Sequence, residues 1–265
     1  MDLNLQQLVQ DGGAMSALPA MTEELRRTLK ARSDPRLAEA TRRYFPTDIR
    51  ALGVPNAEVR RIADAFAKER GLSPEDRLAV TEELLAQANH HEEVLLGFAV
   101  VRKAVGRSFD ESLLDRFRFW LEHSVWNWAQ CDDLCLTVLY PFFLTRTPAL
   151  TRIQHWTGSR SPWCRRAANV ALVKFVSRRI RSSSYMLPLD VILGNAHRLL
   201  SDPEPYVQKS VGWLLKVAAE HHREAVVAFI QENISRMQRD TLRYAIERLD
   251  PKQRKSLLAL EYKTS

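Results

Sequence analysis

The 265-residue chain is poor in the residues that mark several large classes of protein. Its three cysteines (Cys131, Cys135 and Cys164) are too few for a disulfide framework and lack the second paired spacing of a zinc site. No apolar run approaches the roughly 20 residues that span a bilayer. The first residues carry acids and amides instead of a basic stretch followed by an apolar core, so we expect no secretory signal. These absences predict a cytoplasmic protein without a membrane segment.

Several catalytic motifs are missing as well. The sequence has no glycine-rich phosphate loop, no G-x-S-x-G elbow and no H-E-x-x-H pair. Nucleotide hydrolysis and triad hydrolysis therefore lack their usual residues. We expect neither a metal nor a cofactor.

One sign of charge is missing from a long internal segment. Asp and Glu do not occur between Leu134 and Leu189. The same segment contains nine basic residues: Arg146, Arg152, Arg160, Arg165, Arg166, Lys174, Arg178, Arg179 and Arg181. Soluble helical surfaces normally mix both signs of charge. The acid-free segment, together with a net charge of +7, therefore indicates a polyanion partner, most commonly nucleic acid.

A side-chain oxygen precedes proline at six places, and this pattern predicts the first turns of helices. The pairs are Asp34-Pro35, Ser73-Pro74, Thr147-Pro148, Ser161-Pro162, Asp202-Pro203 and Asp250-Pro251. Ser73 with Asp76, and Ser201 with Glu204, have the spacing of a capping box. Between these points the apolar residues follow a 3.6-residue period, as in the series from Val170 to Val176, and no segment predicts a convincing sheet. The predicted fold class is all-α.

The predicted helices also recur. Helix starts near His91, Trp126, Pro162 and Pro203 are 35 to 41 residues apart. This period predicts HEAT-like helical repeats stacked into a curved α-solenoid with a basic concave face. A compact helical bundle is the alternative. We expect a single repeat domain over residues 21–265, preceded by an extension over residues 1–20 that could form a short helix.

Trp128 and Asp132 are the first candidates for chemistry. They are four residues apart, so on a helix they share one face, whereas Asp133 is rotated by a further 100° or so. A carboxylate beside tryptophans at the border of a basic segment would repel phosphate, so it needs a chemical reason to be there. The alternative is that Trp128 belongs to the core and Asp132 is an ordinary solvated charge.

Basic residues recur at one position of the repeat. Arg165 and Arg166 are followed by two alanines, so we expect this helix to pack closely while both arginines project. Lys209 holds the matching position in the next repeat and is followed by Gly212 and Trp213. Such residues would line one side of a solenoid. Alternatively, the basic side chains are simply solvated and Trp213 is ordinary packing.

These motifs together resemble the AlkD-like DNA glycosylases, the HEAT-repeat family of DNA alkylation repair proteins. The resemblance runs from Tyr44 to Leu249. Its segments are Tyr44-Phe45, Leu52-Gly53-Val54, Arg60-Arg61, S-x-W-x-W-x-x-x-D at 124–132, W-C-R-R-A-A at 163–168, Q-K-S-V-G-W at 208–213 and Leu242-Arg243-Tyr244-Ala245-Ile246.

The resemblance implies an active site and a set of DNA contacts. In that family a tryptophan, an aspartate one turn later, an arginine and a further tryptophan form the active site, which implies Trp128, Asp132, Arg166 and Trp213 here. We expect Asp132, Trp128 and Trp213 to act in catalysis and Arg166 to hold a phosphate, with Arg165, Lys209, Tyr44 and Arg243 as further DNA contacts. Members often carry adjacent tryptophans, whereas this chain has Asn127 before Trp128 and Ala129 after it. That departure keeps the catalytic pair but puts the lesion preference in doubt.

The function so implied is that of a monofunctional DNA glycosylase. It would remove cationic N3- and N7-alkylated purines from duplex DNA without flipping the base, and Asp132 would stabilise the oxocarbenium-like sugar and position a water. A monomer suffices for this mechanism, and the protein would lie on the nucleoid when bound to DNA. The nearest alternative is a non-catalytic HEAT-like binder of distorted or branched DNA, which we would expect to lack the aspartate. A protein-binding helical scaffold is a third hypothesis, and the acid-free segment argues against it.

Overall fold

The computed structural model describes residues 5–45, 48–180 and 182–260, with side chains from residue 17 onward. The chain divides into two compact units, Met1–Phe109 and Asp110–Ser265. The first contains α1 Leu5–Lys30, α2 Pro35–Arg42, α3 Asn56–Glu69, α4 Pro74–Ala86 and α5 His91–Val101. The second contains α6 Leu113–His123, α7 Trp128–Asp133, α8 Tyr140–Leu144, α9 Pro162–Val173, α10 Leu189–Leu199, α11 Pro205–Ala218, α12 Arg223–Asn233, α13 Arg239–Ala245 and α14 Pro251–Leu258. It also contains a π-helical segment Leu134–Leu139, 3₁₀ helices Thr147–Gly158 and Ile234–Arg236, and strands β1 Ser177–Ile180 and β2 Ser183–Met186.

Helix α5 is the centre of the first unit. All eleven of its residues are buried, and it packs against both α3 and α4, while α1 covers those two helices. A helix that is apolar on nearly every side is stable only when neighbours surround it. The apolar run from Val94 to Val101 therefore explains why α5 lies inside this unit.

A buried carboxylate joins α5 to the turn before α3. Glu92 is 2% exposed, and its oxygens accept backbone N–H bonds from Leu52 and Gly53 at 2.8 Å each and from Val54 at 3.4 Å. Gly53 has φ +77°, and a Cβ there would lie 2.2 Å from the carbonyl oxygen of Asp34. Only glycine fits that conformation and that space. The Leu52-Gly53-Val54 motif is thus a structural element of the first unit.

The second unit contains a π-helical segment directly after α7. The Tyr140 N–H at its end donates to the carbonyl of Cys135, five residues back. Pro141 follows, and a proline inside an α-helix lacks its N–H and clashes with the carbonyl four residues earlier. The wider turn relieves that clash. π-Helical turns are frequent at functional sites, and this one begins two residues after Asp132.

Helices α9 and α11 pack against each other, and α11 also packs against α10 and α13. The predicted helical period from Val170 to Val176 is wrong at its end, because α9 ends at Val173 and the chain turns into strand β1. Strands β1 and β2 pair antiparallel, with Arg178 opposite Tyr185. The sequence predicted no sheet, so this hairpin is a correction. Its four-residue strands carry mostly exposed side chains and have no apolar alternation that could reveal them.

Four of the six predicted helix starts are confirmed. Side chains of Asp34, Ser73, Ser161 and Asp250 accept N–H bonds in the first turns of α2, α4, α9 and α14, and Ser73 with Asp76 forms a full capping box. The start at Asp202-Pro203 and the capping box from Ser201 are wrong. Helix α11 begins at Pro205 with Glu204 as its cap, and the Asp202 side chain pairs with an arginine of α9 instead. Thr147-Pro148 begins a 3₁₀ helix, not an α-helix.

The all-α prediction is confirmed, and the helices form an all-α repeat fold. The curvature and the basic concave face of the solenoid stay predictions. The proposed boundary after residue 20 falls within α1, whose backbone is helical from Leu5 to Lys30; the domain division also stays a prediction. Within the described ranges, no helix is both long and apolar enough to cross a membrane.

Candidate active site

Asp132 and Arg166 form a two-pronged ion pair between α7 and α9. Arg166 Nε donates to Asp132 Oδ1 and Nη2 donates to Oδ2, each at 2.8 Å. The side chains are 15% and 6% exposed for Asp132 and Arg166 respectively. Such a fork-on-fork arrangement fixes the direction of the carboxylate as well as its charge. The structure therefore brings together two of the residues that the sequence singled out.

The electrostatics of this pair follow from its burial. Burial raises the pKa of the Asp132 carboxyl above its ordinary value, although the hydrogen bonds and charge of Arg166 oppose the rise. Burial also disfavours the charged form of Arg166, but its bonds to Asp132 outweigh that effect, and the pKa of the guanidinium is raised. The two groups thus face each other as carboxylate and guanidinium. This pairing also removes the repulsion that a lone carboxylate would exert on phosphate.

Local sequence fixes where α7 begins. The Asn127 side chain accepts the N–H of Gln130 at 3.0 Å, and the Gln130 side chain accepts the N–H of Trp126 at 2.8 Å. Gln130 is fully buried, so this turn is held rigidly. Asn127, which departs from the adjacent tryptophans of the resembling family, therefore caps the helix that carries Trp128 and Asp132.

Tyr206 is a site residue that the sequence analysis missed. Its ring is stacked on Trp128, with centroids 6.3 Å apart and an interplanar angle of 21°, and it is tilted against Trp163 at 6.3 Å. Its backbone carbonyl accepts a bond from Arg166 Nη1. Lys209 Nζ lies 5.1 Å from the ring centroid. The sequence feature that could have identified Tyr206 is its spacing, three residues before Lys209 and seven before Trp213 on one helix.

Trp213 lies on the same face of α11 as Tyr206 and Lys209, because residues three and seven positions apart share a helical face. Trp213 is half-buried and Lys209 is exposed. A Cβ at Gly212 would lie 2.9 Å from the Thr241 carbonyl oxygen and 3.1 Å from Cβ of Tyr244. The space beside Trp213 is therefore filled by α13, which packs closely at Gly212.

The expectation that Arg165 and Arg166 both project is wrong. Arg166 is 5% exposed. Arg165 donates from Nε and Nη2 to the two oxygens of Asp202, at 2.6 and 3.0 Å, and from Nη1 to the carbonyls of Ser159 and Arg160. Both arginines fold back because each has a buried carboxylate within reach. The phosphate contacts predicted for them stay predictions.

In the folded protein, carboxylates from other parts of the chain lie next to the acid-free segment. Three of its arginines pair with acids that lie outside the segment in sequence: Arg152 with Glu111, Arg165 with Asp202 and Arg166 with Asp132. Within the described chain, no carboxylate pairs with Arg160 or with the basic side chains at the hairpin, Lys174, Arg178 and Arg179. The charge that is free to meet a polyanion is thus smaller than the sequence count suggests.

Asp133 and Arg243 make local contacts, and Tyr44 belongs to the first unit. Asp133 faces its own helix, where Thr137 Oγ1 donates to its carboxylate at 3.3 Å. Arg243 on α13 is largely exposed and pairs with Asp240 one turn away. Tyr44 belongs to the first unit and is 76% exposed. The DNA-binding roles predicted for Tyr44 and Arg243 stay predictions.

The remaining polar chemistry near the site is limited. Cys131, Cys135 and Cys164 are buried thiols, and burial raises the pKa of Cys164 to about 12. Over the described ranges, no group of three or more His, Cys, Asp or Glu side chains is arranged to hold a metal. A cavity of about 730 Å³ lies beside Trp163 and is lined also by Arg118, His123 and Arg160.

The fold and this cluster define an all-α repeat protein with a desolvated carboxylate–guanidinium pair beside stacked aromatic rings. The model of the DNA alkylation repair enzyme family matches residues 25–249, so the chain belongs to that family. A solved structure described as a predicted DNA alkylation repair enzyme from Enterococcus faecalis superposes with a TM-score of 0.69 at 16% identity, covering 83% of this chain and 98% of that one. That likeness shows the fold. No curated protein matches the chain significantly in sequence.

Membership of this family gives the protein a role in the repair of alkylated DNA and makes DNA its partner.

Proposed function

We propose that the protein is a monofunctional DNA glycosylase that hydrolyses the N-glycosidic bond of cationic N3- and N7-alkylated purines in duplex DNA. The observation that carries the proposal is the desolvated carboxylate of Asp132, held by Arg166 and placed one helical turn after Trp128 on α7. Family membership supports the substrate class, because alkylation at N3 or N7 makes the purine a cation and a good leaving group.

The chemistry needs little proton transfer to the base. When the C1′–N bond breaks, its electron pair neutralises the cationic purine, and positive charge moves onto the sugar. A carboxylate close to C1′ stabilises that charge as it develops. Water then adds to C1′ and loses a proton, so the products are an abasic site, the neutral alkylated purine and a proton. Asp132 can stabilise the sugar cation and also position the water. A carboxylate has about four acceptor sites, and Arg166 uses two of them.

Arg166 acts in this proposal as a positioning residue. It holds both oxygens of Asp132 and also the carbonyl of Tyr206, and so it links α7 to the start of α11. A guanidinium suits this role better than an ammonium, because its donors form a rigid planar fork. These bonds use three of the five guanidinium N–H groups, so a phosphate could accept only from the other two while Asp132 stays bound.

The aromatic residues contribute binding to the cationic nucleotide. Trp128 and Tyr206 have nearly parallel rings, Trp128 lies one helical turn before Asp132, and Trp213 lies on the Tyr206 face of α11. A ring face attracts a cation by about 0.5–2 kcal/mol. These rings favour the alkylated purine over its neutral parent, which supports recognition through charge without a flipped-base pocket.

One observation favours a second candidate function. An ion pair with both carboxylate oxygens occupied also serves to hold two helices together, as in a non-catalytic binder of distorted or branched DNA. In that case Asp132 would matter for stability but not for base release. The two functions therefore differ in what an isosteric amide at position 132 does.

The test is single-turnover release of N7-methylguanine and N3-methyladenine from methylated duplex DNA. We expect wild-type protein to release both bases and Asp132→Asn to lose about 10²–10³ in rate, as for loss of one electrostatic stabiliser, while keeping its affinity for DNA. Asp133→Asn is the matched control, because its carboxylate faces Thr137, and it should retain the wild-type rate. Equal rates for wild type and Asp132→Asn would overturn the catalytic assignment. Tight DNA binding without release by any variant would favour the non-catalytic binder.

A further inference from the structure

A second cluster of cations lies in the acid-free segment, where Tyr140 begins α8, Lys174 follows α9 and Arg178 lies on β1. Lys174 Nζ lies 4.4 Å from the centroid of the Tyr140 ring, and Cζ of Arg178 lies 5.3 Å from the same centroid. Lys174 directly follows α9, eight residues after Arg166, which corresponds to about 12 Å along the helix axis. The cluster is therefore distinct from the candidate active site.

This cluster contains two cations and no carboxylate among the described residues. Neither Lys174 nor Arg178 takes part in a salt bridge within the described part of the chain. The Tyr140 hydroxyl is shielded from solvent and has no hydrogen-bond partner there. Two like charges over one ring repel each other, and burial together with the Arg178 charge lowers the pKa of the Lys174 ammonium. An anion between the two cations would relieve that repulsion.

The cluster is built on a fixed base. Phe175 is fully buried, and its ring contacts Tyr140 at 5.4 Å and Tyr185 at 6.4 Å. Arg178 is paired with Tyr185 in the β-ladder. Arg178 is thus held by a hydrogen-bonded strand that is anchored to the helices, which reduces the entropy cost of holding it in place for a ligand.

We propose that Tyr140, Lys174 and Arg178 form a phosphodiester-binding site that contacts one backbone phosphate of the DNA at a distance from the lesion. With the axis of α9 taken to run along the duplex, the distance of about 12 Å corresponds to three or four base pairs at about 3.4 Å each. Lys174 and Arg178 neutralise the phosphate, and the Tyr140 ring face holds both cations in place. The proposal rests on the proposed function in placing the lesion beside Asp132, and it requires no base release.

The first test measures how the DNA affinity depends on salt. A short undamaged duplex is titrated with protein at several salt concentrations, and the slope of log affinity against log salt is compared between variants. K174Q/R178Q should reduce the slope by about 0.9 for each phosphate that the variant no longer neutralises. The control, K252Q/K255Q, removes two exposed charges from α14 and should leave the slope nearly unchanged. Equal changes of slope in the two double variants would mean that the slope depends only on net charge, and this result would overturn the site.

The second test locates the phosphate. Duplexes carry an uncleavable tetrahydrofuran abasic site as a position marker and a single neutral methylphosphonate at successive positions on either strand. Wild-type protein should lose about tenfold in affinity, the usual scale for a charged hydrogen bond, at one position three or four nucleotides from the marker. K174Q/R178Q should bind that duplex and its unmodified parent equally well. Continued sensitivity of the variant at that position, or no sensitive position in the wild type, overturns the site. Because neither measurement involves base release, a failed glycosylase assay would leave this inference standing.

Discussion

Both carboxylate oxygens of Asp132 are held by the guanidinium of Arg166, at 2.8 Å each, and the remaining nitrogen of that guanidinium donates to the carbonyl of Tyr206. One arginine therefore fixes the candidate catalytic carboxylate and the residue whose ring faces Trp128. The same contacts join three helices, α7, α9 and α11, that are not consecutive in sequence. Under the proposed function, the stability and the activity of the protein depend on the same pair, and double variants can separate the two effects.

Removing both Arg166 and Asp132 should cost less stability than the two single removals together. Arg166→Gln leaves a buried carboxylate without its cation, which lowers the free energy of unfolding by about 3–5 kcal/mol. D132N/R166Q should lose clearly less than the sum of the two single variants, because neither group is then left charged and unpaired. Urea denaturation of the four proteins measures this coupling. Arg160→Gln, an exposed control, should change stability by no more than about 0.5 kcal/mol. Additive losses would mean that the two side chains do not interact in solution.

Base release should fall as the pH is lowered. In the proposed mechanism the ionised carboxylate of Asp132 is the active form, and burial raises the pKa of this group. The rate should therefore decline with a midpoint above the ordinary aspartate value of about 3.9. Single-turnover rates from pH 4 to 8, corrected for spontaneous depurination without enzyme, provide the measurement. The residual rate of Asp132→Asn should lack this acid limb. A wild-type rate that stays constant down to pH 4 would exclude the raised pKa or the role of Asp132.

The aromatic ring at position 206 should matter for discrimination of the lesion. Tyr206→Phe keeps the ring against Trp128 and should bind normally, whereas Tyr206→Leu should lose about 2- to 30-fold in preference for alkylated over undamaged duplex, the scale of one cation–π contact. Competition binding with the two duplexes gives that ratio directly. Trp128→Ala and Trp213→Ala should lower both the ratio and the rate. If Tyr206→Leu weakened binding to both duplexes equally, the ring would serve the fold and not lesion recognition.

Arg165 and Lys209 should respond differently to neutral substitution. Arg165→Gln breaks the buried pair with Asp202 and should destabilise the protein without altering the salt dependence of DNA binding. Lys209 is exposed beside Tyr206, so Lys209→Gln should leave stability unchanged and reduce the salt slope by about 0.9 if it contacts one phosphate. Thermal unfolding and salt titration of both variants test the pair of expectations. A reduced slope in a fully folded Arg165→Gln protein would show that Arg165 neutralises a DNA phosphate.

The first unit offers a test that is independent of catalysis. Glu92→Gln keeps the shape of the side chain but replaces the carboxylate that accepts three backbone N–H bonds with a neutral amide. It should lower the free energy of unfolding by about 2–3 kcal/mol, the scale for charged hydrogen bonds. Gly53→Ala should be at least as costly, because its Cβ would meet the Asp34 carbonyl. Glu75→Gln in the exposed first turn of α4 serves as the control. A Glu92→Gln protein of wild-type stability would show that these bonds do not stabilise the turn.

Sequence alone determined the helical character of the protein, the four capped helix starts, the acid-free segment and the shared face of Trp128 and Asp132. Each of these depends on spacing within one helix or on local hydrogen bonds, such as Ser73 with Asp76, and so can be read from neighbours along the chain. The family resemblance was also visible in sequence, and the match over residues 25–249 confirms it.

Only the tertiary structure decided which charges meet. Arg165 and Arg166 are adjacent in sequence and were expected to project, yet they turn to Asp202 and Asp132, 37 and 34 residues away. Tyr206, without a motif of its own, faces Trp128 because α7 and α11 both contact α9. Burial and pairing across helices depend on how the repeats stack, and local periodicity carries no information on that. Charge counts in a sequence therefore indicate a partner, while the packing of α7, α9 and α11 decides which side chains are free to meet it.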